Sequence, residues 1–224
     1  MKSILIYGDS NTWGLIPGSS PAVRFPWNVR WTGRLQSLCR DVRILEEGLC
    51  GRTVSREDAV RANRNGSRTL PMLLESHAPL EAAVVMLGTN DCKACFSVPP
   101  QQIARDMQAL LTLFDPFIPA QNILLIAPPF LGEDVWLPGK DPAFDKIGVQ
   151  TSRILRTEYE TLAQRSGTAF LAASDYVTVS CIDDEHMDAD GHRRFADAVF
   201  EKLKEMRVIP SASRIGVLRS SARG

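Results

Sequence analysis

A chain of 224 residues that is 44% hydrophobic and 23% charged can bury a sizeable core. That favours one large domain and excludes a disordered, collagen-like or disulfide-dense chain. Its 26 basic and 26 acidic residues cancel to a formal net charge of zero, so neither nucleic acid nor an anionic membrane is expected as a partner.

The predicted elements alternate along the chain. A buried strand over 2–7 is followed by a helix over 31–39 and a short strand over 42–46. A helix over 70–77 leads to a strand over 82–87. Residues 100–114 place Ile103, Met107, Leu110, Leu111 and Phe114 at helical spacing. The strand over 122–127 stops at Pro128-Pro129. A long helix over 144–165, a last strand over 169–172 and a final helix over 189–206 complete the series, the last with Phe195, Val199 and Leu203 on one face. Alternation of this kind predicts a parallel sheet of about five strands covered by helices on both faces, an α/β three-layer sandwich. The long polar loops at 17–28 and 57–68 are expected to flank the strand ends. The domain is expected to span 1–209. The Ser- and Arg-rich tail, 210–224, is expected to be loosely ordered or to pack on a neighbouring subunit.

The apolar run at residues 4–7 is too short for a signal-peptide core, and no later stretch is long and apolar enough to span a bilayer. A soluble, cytoplasmic protein is the expectation. The five cysteines are an odd number, which argues for reduced thiols. Cys92 and Cys95 form a CxxC, but no second CxxC accompanies it, so incidental thiols are expected rather than a redox or zinc site.

In open parallel sheets, ligands bind beyond the carboxyl ends of the strands. Those ends carry Gly8-Asp9-Ser10-Asn11 after the first strand, Gly48-Leu49-Cys50-Gly51-Arg52 after the second and Gly88-Thr89-Asn90-Asp91 after the third. Asp183-Asp184-Glu185-His186 follows the fifth. The set suits acyl transfer. A serine hydroxyl needs a neighbouring base, a histidine supplies one near neutral pH, and a carboxylate orients the imidazole. The tetrahedral intermediate needs preorganised N–H donors. The backbone N–H groups of Ser10 and Gly51 and the Asn90 side-chain amide could supply three. Each residue has a plainer reading. Ser10 could cap a helix, Asn90 and Gly51 could be turn residues, and His186 could sit at the surface near a helix start. Only their ordered combination at successive strand ends favours catalysis.

Those four blocks resemble the signatures of the SGNH (GDSL-type) serine hydrolases, whose letters correspond here to Ser10, Gly51, Asn90 and His186. The resemblance implies a flavodoxin-like fold, a triad of Ser10, His186 and Asp183, and an oxyanion hole from Ser10, Gly51 and Asn90, with no metal and no cofactor. A closer likeness runs over residues 2–206. Its motifs are Gly-Asp-Ser-x-Thr-Trp-Gly at 8–14, Arg30-Trp31-Thr32-Gly33, Glu46-Glu47-Gly48-Leu49, and Met86-Leu87 leading into the third block. They are similar to the bacterial arylesterase/acyltransferase branch. That implies a small-molecule ester as substrate, with Asp9, Asn11, Trp13 and Leu15 at the substrate site, and a homo-oligomer packed around the active-site mouths. Leu15 stands where an aromatic residue narrows the acyl pocket of a transferase in that branch, so hydrolysis is expected over transfer. Asp184-Glu185 stand where similar proteins commonly carry Gly and an apolar residue. Their negative charge is expected to raise the pKa of His186.

Arg52 is expected to be structural. Phe130, Val135 and Trp136 form an apolar loop expected to cover the acyl site or to bury itself against a partner subunit. Three other readings remain at this level. One is a carbohydrate acetylesterase on the same fold. Another is a metal-dependent phosphoesterase using the acidic run from Asp183 to Asp190. The last is a non-catalytic flavodoxin-like binding module, for which neither GxxxxGK nor GxGxxG is present.

Overall fold

The computed structural model describes residues 2–209, so the expectations for the tail at 210–224 lie outside the described residues. In chain order the elements are β1 (Lys2–Gly8), α1 (Ser10–Trp13), α2 (Trp31–Leu38), β2 (Val42–Gly48), α3 (Gly66–His77) and β3 (Ala82–Met86). They continue with α4 (Pro100–Thr112), β4 (Ile123–Ala127), α5 (Lys146–Ser166), β5 (Ala169–Ala172) and α6 (Ala189–Glu205). The five strands form one sheet in the order β2-β1-β3-β4-β5, every neighbouring pair parallel. This is the flavodoxin-like order, in which the chain turns outward in opposite directions from β1 and β3. Ser10 stands at that switch point.

The strands are buried on both faces, which is why they read as continuous apolar runs. Successive side chains alternate between two cores. Ile4 and Ile6 of β1 join Val84, Leu124, Trp31 and Phe195 under α2 and α6. Leu5 and Tyr7 join Val85, Leu125, Leu74, Met107 and Leu155 under α3, α4 and α5. Burying each aliphatic side chain of this kind contributes about 1.5–3 kcal/mol, so the two cores together hold the strand ends in a fixed layout.

The differences from expectation are local. α3 begins four residues before Leu70, capped by the Asn65 side chain, which accepts from the Arg68 N–H. Its first turn is polar and carries no apolar period. α5 begins after the capping residue Asp145, which accepts from the Gly148 N–H at 2.7 Å, and leaves Phe144 outside the helix and buried. α1 was not foreseen, because four residues are too few to show a helical period.

Candidate active site

β1 ends at Gly8, where a Cβ would lie 2.0 Å from the Thr12 hydroxyl oxygen, so only glycine permits the close turn into α1. Asp9 caps that short helix, its Oδ1 accepting from the Asn11 N–H at 3.0 Å. The cap is therefore Asp9 and not Ser10, and the serine hydroxyl is left to bond elsewhere. It lies 2.9 Å from His186 Nε2. On the other side of the ring, His186 Nδ1 lies 2.8 Å from Asp183 Oδ2. A carboxylate on Nδ1 makes that nitrogen the N–H donor and leaves Nε2 as an acceptor for the Ser10 O–H. Ser10, His186 and Asp183 are only 3%, 6% and 7% exposed.

Asp183 is fixed by more than the imidazole. Its Oδ1 accepts from the N–H groups of Glu185 at 3.1 Å and His186 at 3.0 Å, and its Oδ2 accepts from Gly18 N–H at 2.9 Å. Burial acts to raise its pKa, but these bonds and the charge of His186 outweigh burial and hold the carboxyl below its usual range. Asp184 points elsewhere. It pairs with Lys140, its carbonyl accepts from Gly132 N–H at 2.8 Å, and its φ of 57° is the left-handed conformation that favours glycine.

His186 is pushed up to about 9. Burial works against the charged ring, but Glu185, then the bond and charge of Asp183, then Asp9 prevail. The upward push expected from the acidic run is thus present, with Glu185 as its foremost source. Glu185 Oε1 lies 3.7 Å from His186 Nε2.

Gly51, Ser10 and Asn90 follow β2, β1 and β3, three adjacent strands. Gly51 adopts φ 83°, and a Cβ there would lie 2.7 Å from Arg61 Nη1. Among the described residues, neither the Ser10 N–H nor the Gly51 N–H donates to a protein acceptor. Asn90 Nδ2 spends one hydrogen on the Arg52 carbonyl at 3.1 Å, which orients the amide and leaves its second hydrogen free. Asp91 ties the same region together. Its carboxylate accepts from Val54 N–H at 2.9 and 3.1 Å and so anchors the loop after β2 to the turn after β3. Burial pushes Asp91 up to about 7.

The residues expected to touch substrate divide. Asp9 and Asn11 are buried beside Ser10. Asp9 Oδ1 caps α1, while its Oδ2 has no hydrogen-bond partner among the described residues. Asn11 Nδ2 donates to the Glu185 carbonyl at 3.1 Å and its Oδ1 accepts from Met187 N–H at 2.9 Å, so it clasps the histidine loop to α1. Trp13 and Leu15 are half-buried at the exit of α1. The Arg24 guanidinium lies 5.1 Å from the centre of the Trp13 ring. Arg52 is structural, donating to the Gly8 carbonyl at 2.8 Å and stacking over Tyr7. The loop after β4 meets the histidine loop, Gly132 N–H donating to the Asp184 carbonyl at 2.8 Å, and leaves Phe130 and Trp136 half-buried. Val135 is buried in the core under α5, and Trp136 packs against that core.

Sequence reasoning gave no role to Gly18, Asp91 or His192. His192 is buried beneath Trp31 and Phe25 and pushed down to about 4, mainly by burial, so it is neutral. The signal for such a residue is its place on the apolar face of α6, next to Phe195. All five thiols are free, Cys92 buried and Cys95 exposed. Among the described residues, no group of three or more His, Cys, Asp and Glu side chains could hold a metal ion, and no helix is long and apolar enough to cross a membrane. A surface concavity of about 670 Å³ along β5, lined by Phe170, Tyr176 and Arg194, contains none of the triad.

The profile of the GDSL-like lipase/acylhydrolase family matches residues 6–196. The chain belongs to this family. Its activity is accordingly that of a serine ester hydrolase. Among solved structures, the hydrolase is similar to a carbohydrate acetylesterase from Sinorhizobium meliloti, with 36% identity, a TM-score of 0.82, and coverage of 92% of this chain and 100% of that one. It is also similar to an aryl esterase from M. smegmatis at 32% identity, with a TM-score of 0.82 and coverage of 92% and 100%. A putative arylesterase from Agrobacterium tumefaciens follows at 29% identity, with a TM-score of 0.81 and the same coverage. No curated protein matches the hydrolase.

Proposed function

We propose that this hydrolase cleaves short-chain acyl or aryl esters through Ser10. His186 takes the Ser10 proton as the oxygen attacks the ester carbonyl, and Asp183 holds the ring and stabilises its cation. The Ser10 and Gly51 N–H groups and Asn90 Nδ2 receive the oxyanion. His186 then protonates the leaving alcohol. Water, deprotonated by the same nitrogen, releases the acid. No step uses a metal or an organic cofactor. The observation that carries this reading is the continuous chain from Ser10 Oγ to His186 Nε2 and from His186 Nδ1 to Asp183, at 2.9 and 2.8 Å.

The burial of Ser10 and His186, 3% and 6% exposed, supports a small acyl group. A panel of p-nitrophenyl esters of increasing chain length tests it. A steep fall beyond short chains is expected, and a flat profile overturns the tight pocket. A second reading, an acetylated carbohydrate as substrate, is favoured by the likeness to the Sinorhizobium meliloti acetylesterase. Acetylated sugars in the same panel decide between them. Added alcohol measures transfer, which Leu15 disfavours. A homo-oligomer packed around the active-site mouths is supported by the exposed apolar residues Val23 and Ile182 beside the loops that meet Asp183. Light scattering tests it. A cytoplasmic location is part of the same proposal and is tested by cell fractionation.

A further inference from the structure

The histidine loop carries a carboxylate for which the mechanism above has no use. Glu185 is 6% exposed, and its Oε1 stands 3.7 Å from His186 Nε2, the nitrogen that also bonds Ser10. Its backbone is pinned on both sides, the N–H to Asp183 Oδ1 at 3.1 Å and the carbonyl to Asn11 Nδ2 at 3.1 Å. The side chain therefore cannot leave the site by a loop shift without breaking both bonds. Among the described residues, no protein donor hydrogen-bonds its carboxylate. The charged groups around it are His186, Lys93, Asp141 and Asp183, and Cys50 and Asp9 also feel its charge. Lys93 is the nearby cation that could neutralise it, but its ammonium faces Asp141 at 3.8 Å. Among the described residues the one ion-pair partner of Glu185 is His186, so the carboxylate is held against the imidazole rather than tied into the scaffold.

Its position has a chemical meaning. Nε2 delivers its proton to the leaving oxygen, so that oxygen must come within hydrogen-bond reach of Nε2 during turnover. Glu185 flanks the same nitrogen. The alcohol half of the ester must then pass along the Glu185 carboxylate. We propose that Glu185 reads the alcohol: its carboxylate accepts a hydrogen bond from a hydroxyl next to the ester oxygen, favouring monoesters of diols and polyols and rejecting esters of anionic alcohols. This rests on Ser10 and His186 acting as described above. It assigns a specificity residue.

The test compares kcat/KM for hydroxyethyl acetate, propyl acetate and acetylglycolate in the wild-type chain, Glu185→Gln and Glu185→Leu. Ratios between substrates on one preparation cancel any loss of folded enzyme. In the wild type, hydroxyethyl acetate should exceed propyl acetate by about tenfold, the scale of a hydrogen bond to a charged group. Acetylglycolate should fall well below propyl acetate. Leucine should abolish both preferences. Glutamine, which keeps an acceptor but loses the charge, should retain part of the hydroxyl preference and lose the rejection of the anion. Unchanged ratios in Glu185→Leu overturn the proposal and make Glu185 a scaffold residue. Fluorophosphonate labelling of wild-type Ser10 separates the two failures. Labelling with unchanged ratios overturns the role of Glu185 alone, and absence of labelling overturns the catalytic reading beneath it.

Discussion

The turn that carries Ser10 and the loop that carries His186 are built by opposite means. Ser10 follows a strand buried on both faces, and its position is set by the sheet, by Gly8 and by the Asp9 cap. The histidine loop belongs to no strand or helix. It holds its shape through contacts with itself, chiefly Asp183 to the N–H groups two and three residues on, and through contacts borrowed from loops at Gly18 and Gly132 and from Asn11 of α1. The charge also differs. Around Ser10 the backbone is bonded into the scaffold while Asp9 Oδ2 and the Thr12 and Thr89 hydroxyls lack a hydrogen-bond partner among the described residues, whereas the histidine sits between two carboxylates. In the proposed mechanism, a nucleophile placed by a rigid sheet meets a base whose position and basicity depend on a loop, so variation in that loop would retune the enzyme without disturbing the fold.

The largest expected effect removes one region's chemistry outright. Ser10→Ala and Asp183→Asn should each lower kcat by about ten-thousandfold or more while circular dichroism stays unchanged. Equal turnover in wild type and Ser10→Ala would sink the proposed mechanism. Next is Asn90→Ala, expected to cost roughly a hundredfold to a thousandfold in kcat with little change in KM, the pattern of a donor used in the transition state.

Asn11→Ala cuts the clasp between the two regions. It strands the Glu185 carbonyl and the Met187 N–H, so it should lower stability by about 1–3 kcal/mol and reduce kcat more than KM. A denaturation midpoint and initial rates check both. Full activity in Asn11→Ala would show that the histidine loop stands without help from α1.

The smallest effect sharpens the electrostatic difference. The base form of His186 is needed for attack, and its pKa of about 9 lies above the ordinary 6.5. For p-nitrophenyl acetate, kcat/KM should therefore climb from neutral pH through about 9. Stability runs the other way. A raised histidine pKa contributes stability that is complete below about 6.5 and lost as pH rises through about 9. Glu185→Gln removes the leading source of the shift and should move the activity limb to lower pH. An unmoved limb would assign the shift to Asp183 and Asp9.

Much of this site was legible because its determinants are local. Gly-Asp-Ser after an apolar run, Asn90 after another, and a carboxylate three residues before a histidine are patterns that short-range geometry imposes. The parallel sheet was legible for a related reason, since strands buried on both faces must be apolar throughout. The bracing role of Asn11 was not legible because a polar residue beside Ser10 looks the same in sequence whether it faces substrate or braces the turn. Burial and partners decide that, and the partners of Asn11 are 174 and 176 residues away.

By itself, then, the sequence determined the order of the elements and the residue types at the strand ends, which follow from periodicity and near-neighbour spacing, while Asp183 rather than Asp184 as the partner of His186 is what the family resemblance implied. Only the tertiary structure decided that Glu185 faces the imidazole while Asp184 turns to Lys140, that Asp91 ties two strand ends together, and that the loop after β4 packs inward. Those outcomes depend on which distant groups share a buried volume, where an unpaired charge or an unfilled space is costly, and no local pattern encodes that competition.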